Sequence, residues 1–202
     1  MGKDKRSEFR ELRKILKKEV TKSRYEHIIG VEYISAALAM RYGADLYNAE
    51  LAGLMHDCAK CIPGDEMLAL CKKYNIHISE TEERSPYLLH GKLGAYFCRY
   101  RYDITDEEVL SAITYHTTGR PGMTLLEKIV YVADYIEPQR DKAPDLAYLR
   151  KIAFIDIDEA VYQITKGTLE YLGDDDNPAI DSLTRETYDY YRLIHESKKE
   201  NL

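Results

Sequence analysis

The chain has 202 residues, of which 45% are hydrophobic and 32% charged, and its formal net charge is −6. This length and this composition are typical of one globular domain and exclude a disordered or fibrous protein. The negative charge argues against a nucleic-acid partner, because nucleic-acid binding depends on Lys and Arg that displace counterions from phosphates.

Apolar residues recur with helical periodicity along the chain, and glycines and prolines interrupt the pattern at short intervals. The pattern predicts an all-α fold, a bundle of about eight to ten helices, in a single domain over residues 1–202. The acidic run from Asp174 to Asp176 is predicted to be a solvated loop. The predicted helices lie near residues 6–20, 25–42, 46–60, 64–74, 88–101, 105–116, 123–137, 145–153, 156–172 and 179–198.

The first predicted helix is basic, since residues 1–24 contain ten Lys or Arg and four acidic residues. Its apolar residues at helical spacing are typical of an amphipathic helix with a solvated basic face, which is the interpretation we favour. A surface that contacts a polyanion is the alternative. The apolar residues are Phe9, Leu12, Ile15, Leu16 and Val20.

The third predicted helix contains an adjacent His and Asp, His56 and Asp57, after an apolar stretch. A buried ionised carboxylate needs a cation, several hydrogen-bond donors or exposure at a cleft. Lys60 follows His56 by one helical turn and is predicted to share its face. Taken alone, the His-Asp pair is more typical of a solvated helix end.

The seventh predicted helix presents a similar case. Asp134 lies among apolar residues that indicate a buried helix, so its carboxylate also needs compensation. Arg140, Arg120 or Lys128 could pair with it, but such a pair leaves the histidines unexplained. Two carboxylates of this kind in one small domain suggest a shared cation.

Three further histidines are predicted at helix ends: His27 and His90 where helices begin, and His116 where one ends. Each alone is more typical of a hydrogen-bonded structural histidine. Together with the His-Asp pair and the late Asp, they supply four imidazoles and two carboxylates, enough for two metal ions bridged by one Asp. The candidate ligands are His27, His56, Asp57, His90, His116 and Asp134.

Five stretches of the sequence form a larger pattern, and two of them are restrictive: the run from His116 to Pro121 and the run from Ala133 to Arg140. The pattern resembles the HD superfamily of metal-dependent phosphohydrolases, and more closely its YqeK family of bacterial enzymes. The resemblance covers about residues 20–172. The matching stretches are residues 24–31, 52–60, 89–95, 113–121 and 128–140.

This resemblance implies an HD-domain helical bundle that acts as a symmetrical bis(5'-nucleosyl)-tetraphosphatase, cleaving diadenosine tetraphosphate into two ADP. A hydroxide held between two metal ions would attack a phosphorus atom. Iron is the family expectation, and manganese, cobalt or zinc would also suit mixed nitrogen and oxygen ligands. The implied ligands are His27, His56, Asp57 and Asp134 for one ion and Asp57, His90 and His116 for the other.

Phosphoryl transfer also requires cationic groups near the phosphates. We predict that Lys60 and Arg140 bind substrate and act in catalysis, that Thr117 donates a hydrogen bond to substrate, and that Asp57 bridges the metals. A homodimer is expected from the resemblance alone.

Two other functions stay open. An HD nucleotidase or phosphodiesterase acting on another nucleotide would use the same metal chemistry with different pocket walls. A non-catalytic nucleotide-sensing or RNA-associated module would use the basic N-terminal helix as its contact surface.

The compartment is predicted from two further observations. The four cysteines show no spacing typical of a disulfide framework, and the N-terminal residues do not form an apolar secretion signal. No run approaches the roughly 18 apolar residues that a membrane span needs, so we expect no membrane partner. We therefore expect a cytoplasmic protein. The cysteines are Cys58, Cys61, Cys71 and Cys98.

Overall fold

The computed structural model describes residues 5–173 and 180–200. In these ranges it contains eleven α-helices, one 3-10 helix and no β-strand, which confirms the predicted all-α fold. The acidic run from Asp174 to Asp176 lies outside the described residues, and the extent of the domain over 1–202 stays a prediction. The helices are α1 Lys5–Glu19, α2 Lys22–Tyr42, α3 Leu46–Met55, α4 Gly64–Lys73, α5 Glu80–Arg84, the 3-10 helix Pro86–Leu89, α6 His90–Arg101, α7 Glu107–Tyr115, α8 Leu125–Ile136, α9 Leu146–Ile152, α10 Ile157–Leu172 and α11 Ser182–Glu200.

Helix α3 ends at Met55, five residues before the predicted end. The next residues form tight turns, in which Cys58 N donates to Met55 O and Lys60 N donates to Asp57 O, each over three residues. Such bonds tighten the chain beyond a helical turn. The prediction that Lys60 shares a helix face with His56 is therefore wrong, because neither residue lies within α3.

Two other boundaries differ from the prediction. Helix α2 begins at Lys22 because Thr21 caps it by accepting a hydrogen bond from Arg24 N. His27 therefore lies in the second turn of α2 and does not open it. The predicted helix 88–101 is preceded by the short helix α5, and its first residues belong to the 3-10 helix.

The core is formed mainly by α2, α3, α7 and α8, with α6 against α7, α10 against α8 and α11 against α10. One glycine allows α2 and α3 to approach closely: a Cβ atom at Gly53 would lie 3.0 Å from Glu32 Cα and 2.7 Å from Ser35 Oγ. This approach brings the start of α2 next to the end of α3.

A second glycine does the same for α6 and α7. A Cβ atom at Gly91 would lie 2.7 Å from the carbonyl oxygen of Thr114, a backbone atom that cannot move independently. Any larger side chain would separate the two helices. The contact therefore places the first residue of α6 beside the last turn of α7.

Helix α1 covers one side of this core. Its predicted apolar residues Phe9, Leu12 and Leu16 are buried, as is Val20 directly after the helix, whereas Ile15 is 37% exposed. Lys14, Lys17 and Lys18 are exposed, so the helix is amphipathic with a basic outer face. None of the helices in the described ranges combines the length and apolarity needed to cross a bilayer.

Candidate metal centre

Ends of five helices meet at one place in the bundle and carry the six candidate ligands. His27 lies in the second turn of α2, and His56 follows the last residue of α3 directly. His90 is the first residue of α6, His116 follows α7, and Asp134 lies in the last turn of α8. Asp57 follows His56 and is 2% exposed.

Asp57 lies between two pairs of histidines. Its Oδ2 atom is 3.7 Å from His27 Nε2 and 3.4 Å from His56 Nε2. Its Oδ1 atom is 3.2 Å from His90 Nε2 and 3.6 Å from His116 Nε2. Each carboxylate oxygen therefore faces its own pair, as expected of a carboxylate that bridges two ions.

The groups define two neighbouring sets, which we name the His27 site (His27, His56, Asp57 and Asp134) and the His90 site (Asp57, His90 and His116). In the triads His27, His56, Asp57 and Asp57, His90, His116, the candidate ligand atoms all lie within 4.8 Å of one another. In the His27 site, Asp134 Oδ1 is 3.0 Å from His27 Nε2 and 3.9 Å from His56 Nε2. Metal bonds of about 2.0–2.2 Å place neighbouring ligands roughly 3–3.5 Å apart, close to these separations.

Backbone carbonyls determine the tautomers of three histidines. Because a carbonyl only accepts, each bonded Nδ1 atom must carry the hydrogen, which leaves a lone pair on Nε2. Burial lowers the pKa of His56, and burial lowers the pKa of His90 to about 4, so both rings are neutral at pH 7. The bonds are His56 Nδ1 to Gly53 O at 2.7 Å, His90 Nδ1 to Tyr87 O at 2.5 Å, and His116 Nδ1 to Ile113 O at 2.7 Å.

The resulting lone pairs converge. His90 Nε2 and His116 Nε2 are 2.9 Å apart, and both point toward the carboxylate of Asp57. Among the described residues, Asp57 Oδ1 is one of two buried side-chain atoms without a hydrogen-bond donor. Since unpaired buried acceptors are costly, a cation is the partner that this donor set fits.

His27 differs from the other three histidines because carboxylates face both of its ring nitrogens. Its Nε2 atom is 3.0 Å from Asp134 Oδ1, and its Nδ1 atom is 3.2 Å from Glu137 Oε1. Burial raises the pKa of Asp134, but the hydrogen bond from His27 and the electrostatic effect of the neighbouring histidines together outweigh it and hold this pKa well below the usual range. The carboxylate of Asp134 is therefore ionised.

The alternative ion pairs for Asp134 are largely absent from the described structure. Lys128 pairs with Asp158 at 2.8 Å, and Arg120 pairs with Glu127 at 3.0 Å. Only Arg140 reaches Asp134: its guanidinium contacts Oδ1 at 3.3 Å. Arg140 therefore contacts Asp134 as one more member of the cluster, and this ion pair does not explain why the histidines meet there.

Three of the predicted substrate residues border the cluster. Lys60 Nζ lies 3.2 Å from His90 Nε2. Thr117 Oγ1 lies 3.2 Å from His90 Nε2 and 3.1 Å from His116 Nε2. With Arg140 at Asp134, the structure places all three beside the candidate ligands.

Arg24 is a site residue that sequence reasoning missed. It donates a hydrogen bond to Asp57 Oδ2 at 2.6 Å, and it precedes His27 by three residues on α2. That spacing, which places two side chains on one helix face, was the available signal. Arg24 and Arg140 also line a cavity of about 300 Å³ beside His27.

A second cavity, of about 180 Å³, includes Thr117 and Thr118 in its wall. A larger cavity, of about 880 Å³, lies beside α1 and the start of α3 and contains none of the candidate residues. Predicted or observed site residues therefore line both of these smaller cavities, and none of them lines the cavity beside α1.

A family model described as HD domain matches residues 24–139, more than half of the chain. The chain belongs to the HD-domain family. The matched region contains every candidate ligand, from His27 to Asp134. The family resemblance indicated by the sequence is thereby confirmed.

Relatives of this HD-domain protein carry a consistent description. The symmetrical bis(5'-nucleosyl)-tetraphosphatase of Bacillus subtilis (strain 168) is 43% identical over 159 residues, covering 78% of this chain and 83% of the relative. The protein of the same description from Staphylococcus aureus (strain NCTC 8325 / PS 47) is 34% identical over 187 residues, covering 90% of this chain and 95% of the relative.

A solved structure from Clostridium acetobutylicum has the same fold. It is described as a predicted HD superfamily hydrolase involved in NAD metabolism, and it matches with a TM-score of 0.87 at 36% identity. The match covers 92% of this HD-domain chain and 97% of the other. The predicted HD-domain bundle is confirmed.

Proposed function

We propose that this HD-domain protein hydrolyses diadenosine tetraphosphate symmetrically to two ADP at a two-metal centre. The observation that carries the proposal is the buried Asp57, whose two oxygens face separate histidine pairs. The relative from Bacillus subtilis supports the substrate, since it is described as a symmetrical tetraphosphatase and shares 43% identity.

The His27 site and the His90 site would each hold one ion, with Asp57 shared between them. Bound together, two such ions lower the pKa of a water molecule and neutralise charge on phosphate oxygens. Iron is the proposed metal. The mixed imidazole and carboxylate ligands would also accept manganese, cobalt or zinc.

The remaining site residues bind and orient the anionic chain. Lys60 and Arg140, as well as Arg24, place positive charge around the carboxylates, where phosphate oxygens of the substrate would come to lie. The Thr117 hydroxyl lies beside His90 Nε2, where it could also donate a hydrogen bond to a phosphate oxygen. With these groups orienting the substrate, hydrolysis would proceed without a covalent enzyme intermediate.

Two cavities lined by residues of the site support a symmetrical cut. A central phosphoanhydride bond requires space for a nucleoside diphosphate on each side of the reactive phosphorus. A cavity of about 300 Å³ lies beside Arg140 and one of about 180 Å³ lies beside Thr117, and we propose that they open the space for the two nucleoside diphosphates.

Product analysis tests the proposal. Protein supplied with Fe²⁺ or Mn²⁺ under anaerobic, reducing conditions is incubated with diadenosine tetraphosphate, and the Asp57→Asn variant serves as the control. Two ADP as products would support the proposal, whereas ATP plus AMP would contradict it. Turnover of mononucleotides or cyclic dinucleotides alone would favour the nucleotidase or phosphodiesterase, and binding without hydrolysis would favour the sensing module.

A cytoplasmic location and a homodimeric assembly are the remaining parts of the proposal. The relatives from Bacillus subtilis and Staphylococcus aureus are described as symmetrical bis(5'-nucleosyl)-tetraphosphatases, and all four cysteines of this chain are free thiols, as suits a reducing compartment. Sedimentation of the purified protein tests the dimer.

A further inference from the structure

Glu137 is a buried carboxylate that lies next to the cluster and has no role in the chemistry described so far. It directly follows α8, three residues after Asp134, and is 2% exposed. Its Oε1 atom is 3.2 Å from His27 Nδ1, on the side of the ring opposite Asp134. The Glu137 carboxylate therefore contacts the Nδ1 side of the His27 ring, while the Nε2 side faces the cluster.

The surroundings hold Glu137 in turn. Its Oε2 atom accepts a hydrogen bond of 2.7 Å from Gln139 N, and its own backbone N–H donates to Ala133 O. Arg150 donates to its carbonyl oxygen at 2.9 Å. With both carboxylate oxygens engaged and the backbone anchored at two points, the side chain has one orientation available.

A glycine in helix α2 leaves space for the Glu137 carboxylate. Gly30 lies one turn after His27, and a Cβ atom at Gly30 would lie only 2.5 Å from Glu137 Oε2. A glycine in the middle of a helix costs about 0.5–1 kcal/mol relative to alanine. At this position the missing side chain provides the space in which Glu137 reaches His27.

The two proposed sites differ in this respect. The Nδ1 atoms of His56, His90 and His116 bond to neutral backbone carbonyls, whereas the Nδ1 atom of His27 faces a charged carboxylate. A carboxylate behind a metal-binding histidine fixes the ring and makes its other nitrogen a stronger donor. The effect is confined to the His27 site.

We infer that Glu137 is the positioning residue of the His27 site, and that Gly30 is required to let it act. The inference rests on the metal centre of the proposed function. Loss of such a partner typically costs 10–100-fold in metal affinity. We therefore expect that loss of the Glu137 carboxylate lowers the metal affinity of the His27 site by that factor and leaves the affinity of the His90 site unchanged.

Titration of the metal-depleted protein with Mn²⁺ by calorimetry tests the inference in two independent variants. Glu137→Gln keeps the shape of the side chain and removes its charge, and Gly30→Ala displaces the same carboxylate from α2 without changing it. Anomalous diffraction from Mn²⁺-soaked crystals identifies which ion has lost occupancy. The expected result in both variants is reduced occupancy at the His27 site.

Matched controls separate positioning from stability. Glu127→Gln alters another buried carboxylate of α8, one that pairs with Arg120 and contacts no candidate ligand, and Gly167→Ala fills open space in α10. Both should leave the two Mn²⁺ affinities unchanged, whatever their effect on the unfolding temperature.

The outcomes distinguish this inference from the proposed function. If the unaltered protein binds no Mn²⁺, the proposed metal centre fails. If it binds two ions and Glu137→Gln or Gly30→Ala binds both with unchanged affinity, the role of Glu137 is overturned. An equal loss of Mn²⁺ affinity at both sites in these variants would also overturn it, because the effect would then not be specific to the His27 site.

Discussion

Three histidines of the cluster share a local arrangement, in which Nδ1 bonds to the carbonyl oxygen three residues earlier. At His56 and His116 that carbonyl belongs to the last turn of a helix, where carbonyl groups lack an intrahelical partner. The helix end thus supplies the acceptor that turns Nε2 toward the cluster. Sequence analysis placed His90 and His116 at helix ends correctly and extended the predicted helix past His56, but it could not predict which nitrogen of each ring points inward.

Lys60 is the residue whose removal should separate metal binding from turnover. It contacts His90 but supplies no ligand atom, so Lys60→Ala should keep both ions while turnover falls by on the order of 10²–10³-fold. Metal content by mass spectrometry and the rate of ADP release are measured on the same sample. Lys17→Ala, at an exposed position on α1, is the control for removing one positive charge. Loss of metal from Lys60→Ala would refute the assignment.

At the scale of helices, the periodicity of apolar residues predicted most segments, and it failed where apolar residues continue past a helix end. The residues after Met55 remain buried as far as Ala59, so the pattern extends into the turns that carry His56 and Asp57. Helix α5 is only five residues long, and its Ser79 capping box was the available signal.

The contact between α6 and α7 should control the His90 site. Gly91→Ala would press a methyl group against the backbone of Thr114, so we expect about 1–3 kcal/mol of destabilisation and weaker binding of one ion. Urea unfolding and Mn²⁺ titration measure the two effects. Gly167→Ala, where nothing lies within 4 Å, should show neither loss. An unchanged affinity in folded Gly91→Ala would contradict the role of this contact.

Helices α10 and α11 are joined by an ion pair with a defined pH dependence. Burial raises the pKa of Asp156, but the hydrogen bond from Lys198 at 2.6 Å, the charge of Lys198 and the hydrogen bonds from the N–H groups of Asp158 and Glu159 together outweigh it, so the pKa is lowered. A lowered folded pKa stabilises the protein above the unfolded value of about 3.9, and the contribution disappears as the pH falls through the folded pKa.

Asp156→Asn should therefore lower the free energy of unfolding at pH 7 by less than about 1 kcal/mol, since the pair is partly exposed and Asn still caps α10. The difference from the unaltered protein should shrink as the pH falls below about 4. Urea unfolding across this range measures it. A difference that grows toward low pH would have the opposite sign and contradict this account.

At the scale of the molecule, the six candidate ligands come from five helices and are separated by up to 107 positions in the chain. Spacing alone could not predict that they meet, because it does not specify how α2, α6 and α8 pack. The family resemblance supplied that expectation, and the structure brings the residues together. Their role as ligands stays a prediction. Arg24 was signalled only by its three-residue spacing from His27, and Glu137 carried no separate signal, because a charged residue near a helix end is usually solvated.

The central claim is that Asp57 bridges two ions. The most direct measurement is electron paramagnetic resonance of metal-depleted protein supplied with two equivalents of Mn²⁺. The bridge predicts the signal of a magnetically coupled manganese pair, and the loss of that signal in Asp57→Asn. Binding of a single ion, or two uncoupled Mn²⁺ signals in the unaltered protein, would contradict it.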